Sequence, residues 1–332
     1  MSKDSTEMPK RDLPPIDMDV AITRENDTGL NQLLAYAGVP SFMRRRYTKD
    51  LTNVDIAYTG IPFDHSMMNR PGSRFGPRGV REQSALLAWG APYRWDFNPF
   101  DEINVVDYGD VGFDHGKLGE VPERIQNHIK GILDQGAASL SIGGDHFVSY
   151  PILKAYHEKY GPMSLIHFDA HTDTWNDPDS DRVDHGTMFY HAIKDGLIIP
   201  EHSAQIGIRT HNDDTMGMNI FDADQVHDEG PVRIAEQVRE LVGQNPVYLT
   251  FDIDALDPAF APGTGTPVTG GLTTQQAHRL IRHLAGIRLV GMDIVEISPP
   301  YDSGNITAIA GAELAQDMVA LWAFYHRNKT ER

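Results

Sequence analysis

Six carboxylate and imidazole side chains occur in three short bursts along the chain, with types and spacing typical of a metal site. The bursts are Gly143-Gly144-Asp145-His146, Asp169-Ala170-His171-Thr172-Asp173 and Asp252-Ile253-Asp254. Within the last two bursts the candidate ligands fall on every second residue, and an extended chain sends alternate side chains to one face. Two histidines and four carboxylates that converge favour hard divalent ions, two of them in the simplest case. Such ions activate water, so the leading interpretation is a hydrolase.

The elements that must position these residues alternate between apolar strands and helical patterns. Strands are predicted at residues 54–61, 103–106, 138–142, 164–168, 203–208, 247–251 and 289–294. Helices are predicted at residues 79–88, 121–135, 151–160, 187–195, 231–242, 274–284 and 308–325. This alternation predicts an α/β fold with a mostly parallel sheet covered on both faces. The near-continuous apolar character of the strands agrees with burial on both sides.

Each burst directly follows one of the predicted strands. The first follows strand 138–142, the second follows strand 164–168 and the third follows strand 247–251. Open α/β sheets bind their ligands at the carboxyl ends of the strands. We therefore expect the three bursts to meet at one edge of the sheet.

Composition narrows the classes of function. The formal net charge of −18 disfavours nucleic acid and anionic membranes as partners and mildly favours cationic ligands. The chain contains no cysteine, which excludes disulfides, thiolate metal sites and thiol catalysis. Residues 1–19 lack the apolar core of a secretory signal, and no stretch approaches the roughly 20 apolar residues that span a bilayer. We therefore expect a cytoplasmic protein with no membrane partner.

The sequence predicts one catalytic domain behind a short arm. Residues 1–50 are expected to form an irregular N-terminal arm with one or two short helical pieces. Residues 51–328 carry the strand–helix alternation without an internal repeat, a low-complexity block or a linker. A single domain is therefore predicted for this second part of the chain.

The three bursts and their flanks resemble the signatures of the ureohydrolases, the arginase–agmatinase family. The third burst continues into Ala255-Leu256-Asp257-Pro258 and then Pro262-Gly263-Thr264-Gly265-Thr266-Pro267. The ordered set is most similar to the bacterial agmatinase branch and covers roughly residues 54–325. The resemblance implies a three-layer α/β/α sandwich, a binuclear site for Mn²⁺ with Ni²⁺ as the alternative, and hydrolysis of a guanidine compound to urea and an amine.

The resemblance also assigns the six candidate ligands to two ions. One ion would be held by His146, Asp169, Asp173 and Asp252, and the other by Asp169, His171, Asp252 and Asp254. Asp169 and Asp252 would then bridge the ions. Asp173 would in addition hold the attacking water and pass its proton toward the leaving nitrogen.

Two further residues match catalytic positions of the family. His185, in Asp184-His185-Gly186-Thr187, matches a proton-shuttle histidine, and Glu296 matches the carboxylate that grips the guanidinium. Without the resemblance, His185 would be interpreted as a helix-start residue on a solvated loop and Glu296 as the end of a strand. His167 is expected to be a packed core histidine.

The residue two positions after the second burst bears on the substrate. Arginases hold the α-amino and α-carboxylate groups with polar side chains there, and one of these, an asparagine, is replaced here by Trp175. Trp175 cannot supply that amide contact, so agmatine fits better than arginine. The ammonium of agmatine would suit the acidic segment 176–184, and Trp175 would add a cation–π contact of about 0.5–2 kcal/mol. The alternative is that this loop is solvated and touches no substrate.

Other substrates and classes stay open. Guanidinobutyrate and guanidinopropionate end in a carboxylate, for which Arg70 or Arg74 would supply a cation; free guanidine and an alkyl biguanide are further alternatives. A metal-dependent deacetylase of the same fold is disfavoured by the intact His146 and Glu296. An accessory pseudoenzyme subunit is disfavoured by the complete ligand set. The family usually forms trimers or hexamers, which implies a homo-oligomer here.

Overall fold

A parallel sheet forms the centre of the protein. The computed structural model describes residues 35–176 and 182–327. The strands are β1 Ile56–Ile61, β2 Val105–Asp110, β3 Ala138–Gly143, β4 Ser164–Phe168, β5 Ala204–Ile206, β6 Asn219–Phe221, β7 Val247–Asp252 and β8 Leu289–Val295. They pair in the order β2-β1-β3-β8-β7-β4-β5-β6, and every pairing is parallel.

Helices cover both faces of this sheet. They are α1 Gly76–Gln83, α2 Pro99–Glu102, α3 Val121–Asp134, α4 Ser149–Tyr160, α5 Met188–Lys194, α6 Ala223–Glu229, α7 Pro231–Val242, α8 Thr274–His283 and α9 Ile306–Arg327. Successive strand residues point to opposite faces. In β1, Ile56 and Tyr58 join the core beneath α7, α8 and α9, whereas Ala57 and Ile61 join the core beneath α3, α4 and α5. The described residues therefore confirm the three-layer α/β/α sandwich.

Local signals account for where several helices begin. Thr273 and Gln276 form a reciprocal capping box at the start of α8. The side chain of Asp222 accepts a backbone hydrogen bond at the start of α6. Pro231 occupies the first position of α7, where the missing N–H costs nothing.

Every predicted strand is present; strand 164–168 matches β4 at both ends, the others have shifted ends, and the elements that were missed are short. The strand predicted at 103–106 lies at β2, and the helix predicted at 79–88 begins earlier and becomes a 3₁₀ helix at Ser84–Trp89. The edge strand β6 and the helices α2 and α6 were not predicted. These elements contain too few residues to show the hydrophobic period of a strand, two residues, or of a helix, 3.6 residues.

The order of the strands explains how distant bursts meet. β3, β8, β7 and β4 are consecutive in the sheet. His146 lies just after β3, Asp169 directly follows β4, Asp252 ends β7 and Glu296 directly follows β8. Because the four strands are parallel, their carboxyl ends bring these residues to one edge.

The described part of the predicted arm, residues 35–50, packs against the sheet. Phe42 is fully buried, and its ring stacks on Tyr58 with centroids 4.0 Å apart. The backbone N–H of Phe42 donates to Asp107 Oδ2 at 2.9 Å. No helix among the described residues is long and apolar enough to cross a bilayer.

Candidate metal centre and active site

His146 lies at the centre of three carboxylates. Its Nδ1 is 3.0 Å from Asp173 Oδ2, 3.1 Å from Asp169 Oδ2 and 3.3 Å from Asp252 Oδ2. All four side chains are buried. The other ring nitrogen, Nε2, lies 2.9 Å from Oγ1 of Thr250 on β7, and this contact orients the imidazole.

A second group adjoins the first through Asp169. His171 Nδ1 is 3.2 Å from Asp169 Oδ1 and 3.2 Å from Asp254 Oδ2. Asp169 therefore turns one oxygen toward each histidine, the geometry that a bridging carboxylate requires. Asp252 turns Oδ2 to His146, while its Oδ1 accepts from the backbone N–H of Asp254 at 2.8 Å.

The charges in this cluster need cations. Burial raises the pKa of Asp173 to about 7, and repulsion from Asp169 adds to the effect. Burial also raises the pKa of Asp252 well above its ordinary value, assisted by Asp254 and Asp169. Buried carboxylates are costly unless cations compensate them, and oxygen-rich donor sets suit hard divalent ions. The donor chemistry of this cluster therefore fits two such ions.

Two residues at the site have left-handed backbones although neither is glycine. Asp173 has φ +52° and Glu296 has φ +64°. Such conformations persist only where the surroundings enforce them, and they concentrate at functional sites. The carbonyl of Asp173 accepts from the N–H of Phe189 at 3.1 Å, and the N–H of Glu296 donates to the Gly144 carbonyl at 2.9 Å.

Glu296 presents one satisfied and one unsatisfied oxygen. Its Oε1 accepts the backbone N–H of His146 at 2.9 Å. Its Oε2 is buried and has no hydrogen-bond partner among the described residues. Burial raises the pKa of Glu296 well above the usual range, and repulsion from Asp252 and Asp145 adds to this. A cationic N–H donor bound here would satisfy Oε2 and stabilise the carboxylate.

His185 lies beside Glu296. Its Nδ1 is 3.9 Å from Glu296 Oε1, and the side chain is 12% exposed. Burial lowers the pKa of His185, although the nearby Asp184 acts in the opposite direction. The imidazole is therefore held neutral near neutral pH, in a form that can both accept and donate a proton.

The residues predicted to choose the substrate lie on loops around the cluster. The ring of Trp175 is half-buried, with its centroid 6.2 Å from that of His171. The guanidinium of Arg70 lies over the ring of Tyr301, 5.3 Å from its centroid. Arg74 is bound to Asp64. Of the predicted acidic mouth, residues 177–181 lie outside the described residues.

Sequence reasoning missed the role of His167. The residue is fully buried, as expected, but its Nε2 lies 2.7 Å from Asp169 Oδ2. The signal was present, because His167 precedes Asp169 by the same two-residue step that separates Asp169 from His171. Extending the alternation back into β4 would have found it.

Met67 is a second residue that the structure brings to the site. A Cβ added to Gly265 would overlap Met67 Cε and would lie 3.3 Å from Glu296 Oε2. Met67 and Glu296 therefore flank the same point in space. The Met67 loop is tied down by Asp145, whose Oδ2 accepts the N–H of Ser66 at 2.8 Å, and by Asn69, whose amide donates to the Gly265 carbonyl at 3.0 Å.

Comparison with known proteins gives consistent matches over most of the chain. The model of the arginase family matches residues 54–320. The sequence is 53% identical over 305 residues to an agmatinase of Chromobacterium violaceum, covering 91% of this chain and 94% of that one. An agmatinase of Proteus mirabilis is 50% identical over 82% of this chain and 89% of its own length.

Solved structures agree with these matches. A crystal structure of a hypothetical agmatinase from Burkholderia thailandensis is 52% identical, with a TM-score of 0.86 over 89% of this chain and 93% of that one. The proclavaminate amidino hydrolase from Streptomyces clavuligerus is 39% identical, with a TM-score of 0.84 over 88% and 99% of the two chains.

Proposed function

The chain belongs to the arginase family, and we propose that it hydrolyses agmatine to putrescine and urea with two manganese ions. Family membership and the agmatinase relatives make it a hydrolase of a C–N bond in a guanidino compound. The proposal adds the substrate, the metal and the roles of individual residues. In the reaction, water adds to the guanidinium carbon, the bond between that carbon and the nitrogen that carries the alkyl chain breaks, and the departing nitrogen takes up a proton.

One observation carries the proposal: the unsatisfied Oε2 of Glu296 is buried beside the His–Asp cluster. A buried carboxylate oxygen without a donor is costly. A guanidinium supplies planar N–H donors and a positive charge, which together match a carboxylate. Glu296 would thus hold the substrate carbon beside the cluster and fix its orientation.

The cluster residues would hold the two ions. We assign His146, Asp173 and the shared Asp169 to one ion, and His171 with Asp254 to the other, with Asp252 also contributing. When bound, the ions would polarise a water for attack at neutral pH. Asp173 would accept a proton from that water. His185, 3.9 Å from Glu296, would carry a proton between solvent and the leaving nitrogen.

The surroundings favour an amine-terminated substrate. A substrate ending in a carboxylate needs a cation, and Arg74 is bound to Asp64. Arg70 stacks on Tyr301 and is the remaining candidate of its loop. Trp175 beside His171 offers an aromatic face to an ammonium group rather than an amide to an α-carboxylate. The relatives named above as agmatinases support the same choice.

A urea-release panel tests the proposal. The protein is loaded with Mn²⁺, and in parallel with Ni²⁺, after which its metal content is measured. Agmatine is compared with guanidinobutyrate, guanidinopropionate, arginine, guanidine and an alkyl biguanide. We expect agmatine to give the highest kcat/KM with Mn²⁺, and Asp173→Asn to abolish urea release while the circular dichroism stays unchanged.

The other outcomes of the panel discriminate the alternatives. Faster release from a carboxylate-terminated guanidine would replace agmatine and assign a role to Arg70. Metal-loaded protein that releases urea from none of the six compounds would refute the proposed reaction. Near-zero metal after loading would favour an accessory subunit.

A further inference from the structure

A chain of buried hydrogen bonds runs from the sheet to Asp169. His167 on β4 and Gln205 on β5 are paired neighbours in the parallel ladder. Both side chains are fully buried. Gln205 Nε2 lies 2.9 Å from His167 Nδ1, and His167 Nε2 lies 2.7 Å from Asp169 Oδ2.

The orientation of the Gln205 amide follows from its other contact. Gln205 Nε2 also lies 2.6 Å from the backbone carbonyl oxygen of Thr172. A carbonyl oxygen only accepts, so the amide nitrogen and not the amide oxygen must face it. The same nitrogen therefore faces His167, and its second hydrogen points at Nδ1.

This orientation determines the tautomer of His167. Because Nδ1 accepts from Gln205, the ring proton of the neutral imidazole sits on Nε2. Nε2–H then donates to Asp169 Oδ2. Both ring nitrogens are thereby engaged, which leaves no lone pair of His167 for a metal ion, although the residue lies within the first cluster.

The second oxygen of Asp169 is held as well. Asp169 Oδ1 accepts the backbone N–H of His171 at 2.6 Å. The two hydrogen bonds fix the plane of the carboxylate, and each oxygen keeps a lone pair directed toward a histidine of the cluster. A bridging carboxylate needs this orientation before the ions arrive.

We propose that Gln205 and His167 are positioning residues that set the orientation of the bridging carboxylate Asp169 through the chain Thr172–Gln205–His167–Asp169. The inference rests on the proposed two-metal site and adds two residues that would contact neither ion. It also links Thr172, inside the second burst, to Asp169 at the start of the same burst.

Metal binding, rather than turnover, tests the inference. Mn²⁺ is titrated calorimetrically into chelator-treated full-length protein, and the signal of paired Mn²⁺ ions is recorded by electron paramagnetic resonance. His167→Phe keeps a ring and removes the donor; Gln205→Leu keeps the volume and removes the amide. We expect each to weaken Mn²⁺ affinity about 10–100-fold and to reduce the paired signal. His167→Gln, which can return an N–H donor to Asp169, should recover most of the affinity.

A matched control separates this effect from the loss of any buried histidine. His128 on α3 is largely buried and bonded to Thr59 Oγ1 at 2.8 Å. His128→Phe should bind Mn²⁺ like the wild type. If His167→Phe does not fold, Gln205→Glu gives the same test, because it keeps the shape while replacing the amide donor by an acceptor.

Two results would overturn the inference while leaving the proposed function in place. Wild-type affinity in Gln205→Leu and Gln205→Glu would show that the chain does not orient Asp169. Loss of a whole metal equivalent in His167→Phe, with Gln205→Leu unchanged, would make His167 a direct ligand. A wild-type protein that takes up no Mn²⁺ would refute the proposed function itself, and the inference with it.

Discussion

His185 Nδ1 lies 3.9 Å from Glu296 Oε1, while Oε2 of the same carboxylate is buried and has no hydrogen-bond partner among the described residues. The two residues are reached by different strands, since Glu296 directly follows β8 and His185 precedes α5. The 3.9 Å separation leaves no room for a ligand between these two atoms, so a guanidinium would bind through Oε2. Under the proposed function, the pair would join the binding of a guanidinium to the delivery of a proton.

Replacing Glu296 by glutamine should impair binding most. Glu296→Gln keeps the shape but removes the charge that would pair with the guanidinium, which costs about 2–5 kcal/mol at a buried ion pair. We expect kcat/KM for agmatine to fall at least about 30-fold, with a rise in KM. Steady-state urea release measures this. Glu123→Gln, on an exposed part of α3, should leave both constants unchanged; a wild-type KM in Glu296→Gln would contradict the assigned role.

Replacing His185 should affect turnover instead. His185→Asn removes the group that would pass a proton to the leaving nitrogen, and general acid–base groups contribute about 10²–10⁴-fold. We expect kcat to fall by that order while KM changes little. The pH profile of kcat should also lose the limb due to His185. An unchanged kcat would assign proton transfer to another group.

The position of the cluster was predictable from the sequence because it depends on local pattern. Alternation placed Asp169, His171 and Asp173 on one face after an apolar strand, and the sheet brings the bursts together as expected. The strand order that makes this possible, with β8 between β3 and β7, comes from packing rather than from any one segment. The shortest elements carry no periodic signal, which is why β6 was missed.

The contacts that shape the pocket beside Glu296 Oε2 were not predictable from the sequence. Met67 and Gly265 lie on loops far apart in the sequence and meet only when β1 and β7 take their places in the sheet. The Gln205 contact to His167 likewise depends on the register of β4 with β5. Side-chain partners of this kind follow from tertiary structure, whereas the types and spacing of the candidate ligands can be read from short stretches of the sequence.

Adding one methyl group at Gly265 should narrow the pocket. Gly265 does not have the positive φ that disfavours alanine, so Gly265→Ala should fold normally. The new Cβ would displace Met67 Cε and crowd Glu296 Oε2. Displacing groups at an active site by about 1 Å costs up to about 100-fold, so we expect kcat/KM to fall about 10–100-fold. Overpacking also costs about 1–3 kcal/mol of stability, so the melting temperature should fall as well.

A compensating substitution checks that explanation. Met67→Ala combined with Gly265→Ala removes the displaced side chain and should restore much of the lost kcat/KM. Met68→Ala is the matched control, because Met68 is 77% exposed. Equal recovery by Met67→Ala and Met68→Ala would show that Met67 does not line the pocket.

Metal affinity should depend on pH. In the metal-free protein, burial raises the pKa of Asp173 to about 7 and raises that of Asp252 well above its ordinary value. Ligation needs both carboxylates deprotonated, so protons compete with the ions. We expect Mn²⁺ affinity to weaken as the pH falls from about 7.5 to 5.5, with proton release on binding. Calorimetry in buffers of different ionisation enthalpy measures that release, and a constant affinity over this range would contradict the prediction.

Stability should have its own pH dependence, far from the cluster. His278 Nδ1 lies 2.8 Å from Asp317 Oδ2, and its Nε2 lies 3.6 Å from Glu313 Oε2. Burial opposes the charged form, yet these two carboxylates raise the pKa of His278 to about 9. Arg282 and Trp95 also contact Asp317, which keeps that carboxylate in place.

Because the pKa of His278 is raised in the folded state, the ion pair contributes its full stabilisation below about pH 6.5, the pKa of histidine in the unfolded chain. That contribution, about 3 kcal/mol, should be lost as the pH rises to about 9 and beyond. We expect His278→Gln to lower the melting temperature strongly near pH 6 and only weakly near pH 10. Because the metal cluster titrates identically in both proteins, the difference between their melting curves isolates His278. Parallel pH profiles for the two proteins would show that the pair does not stabilise the fold.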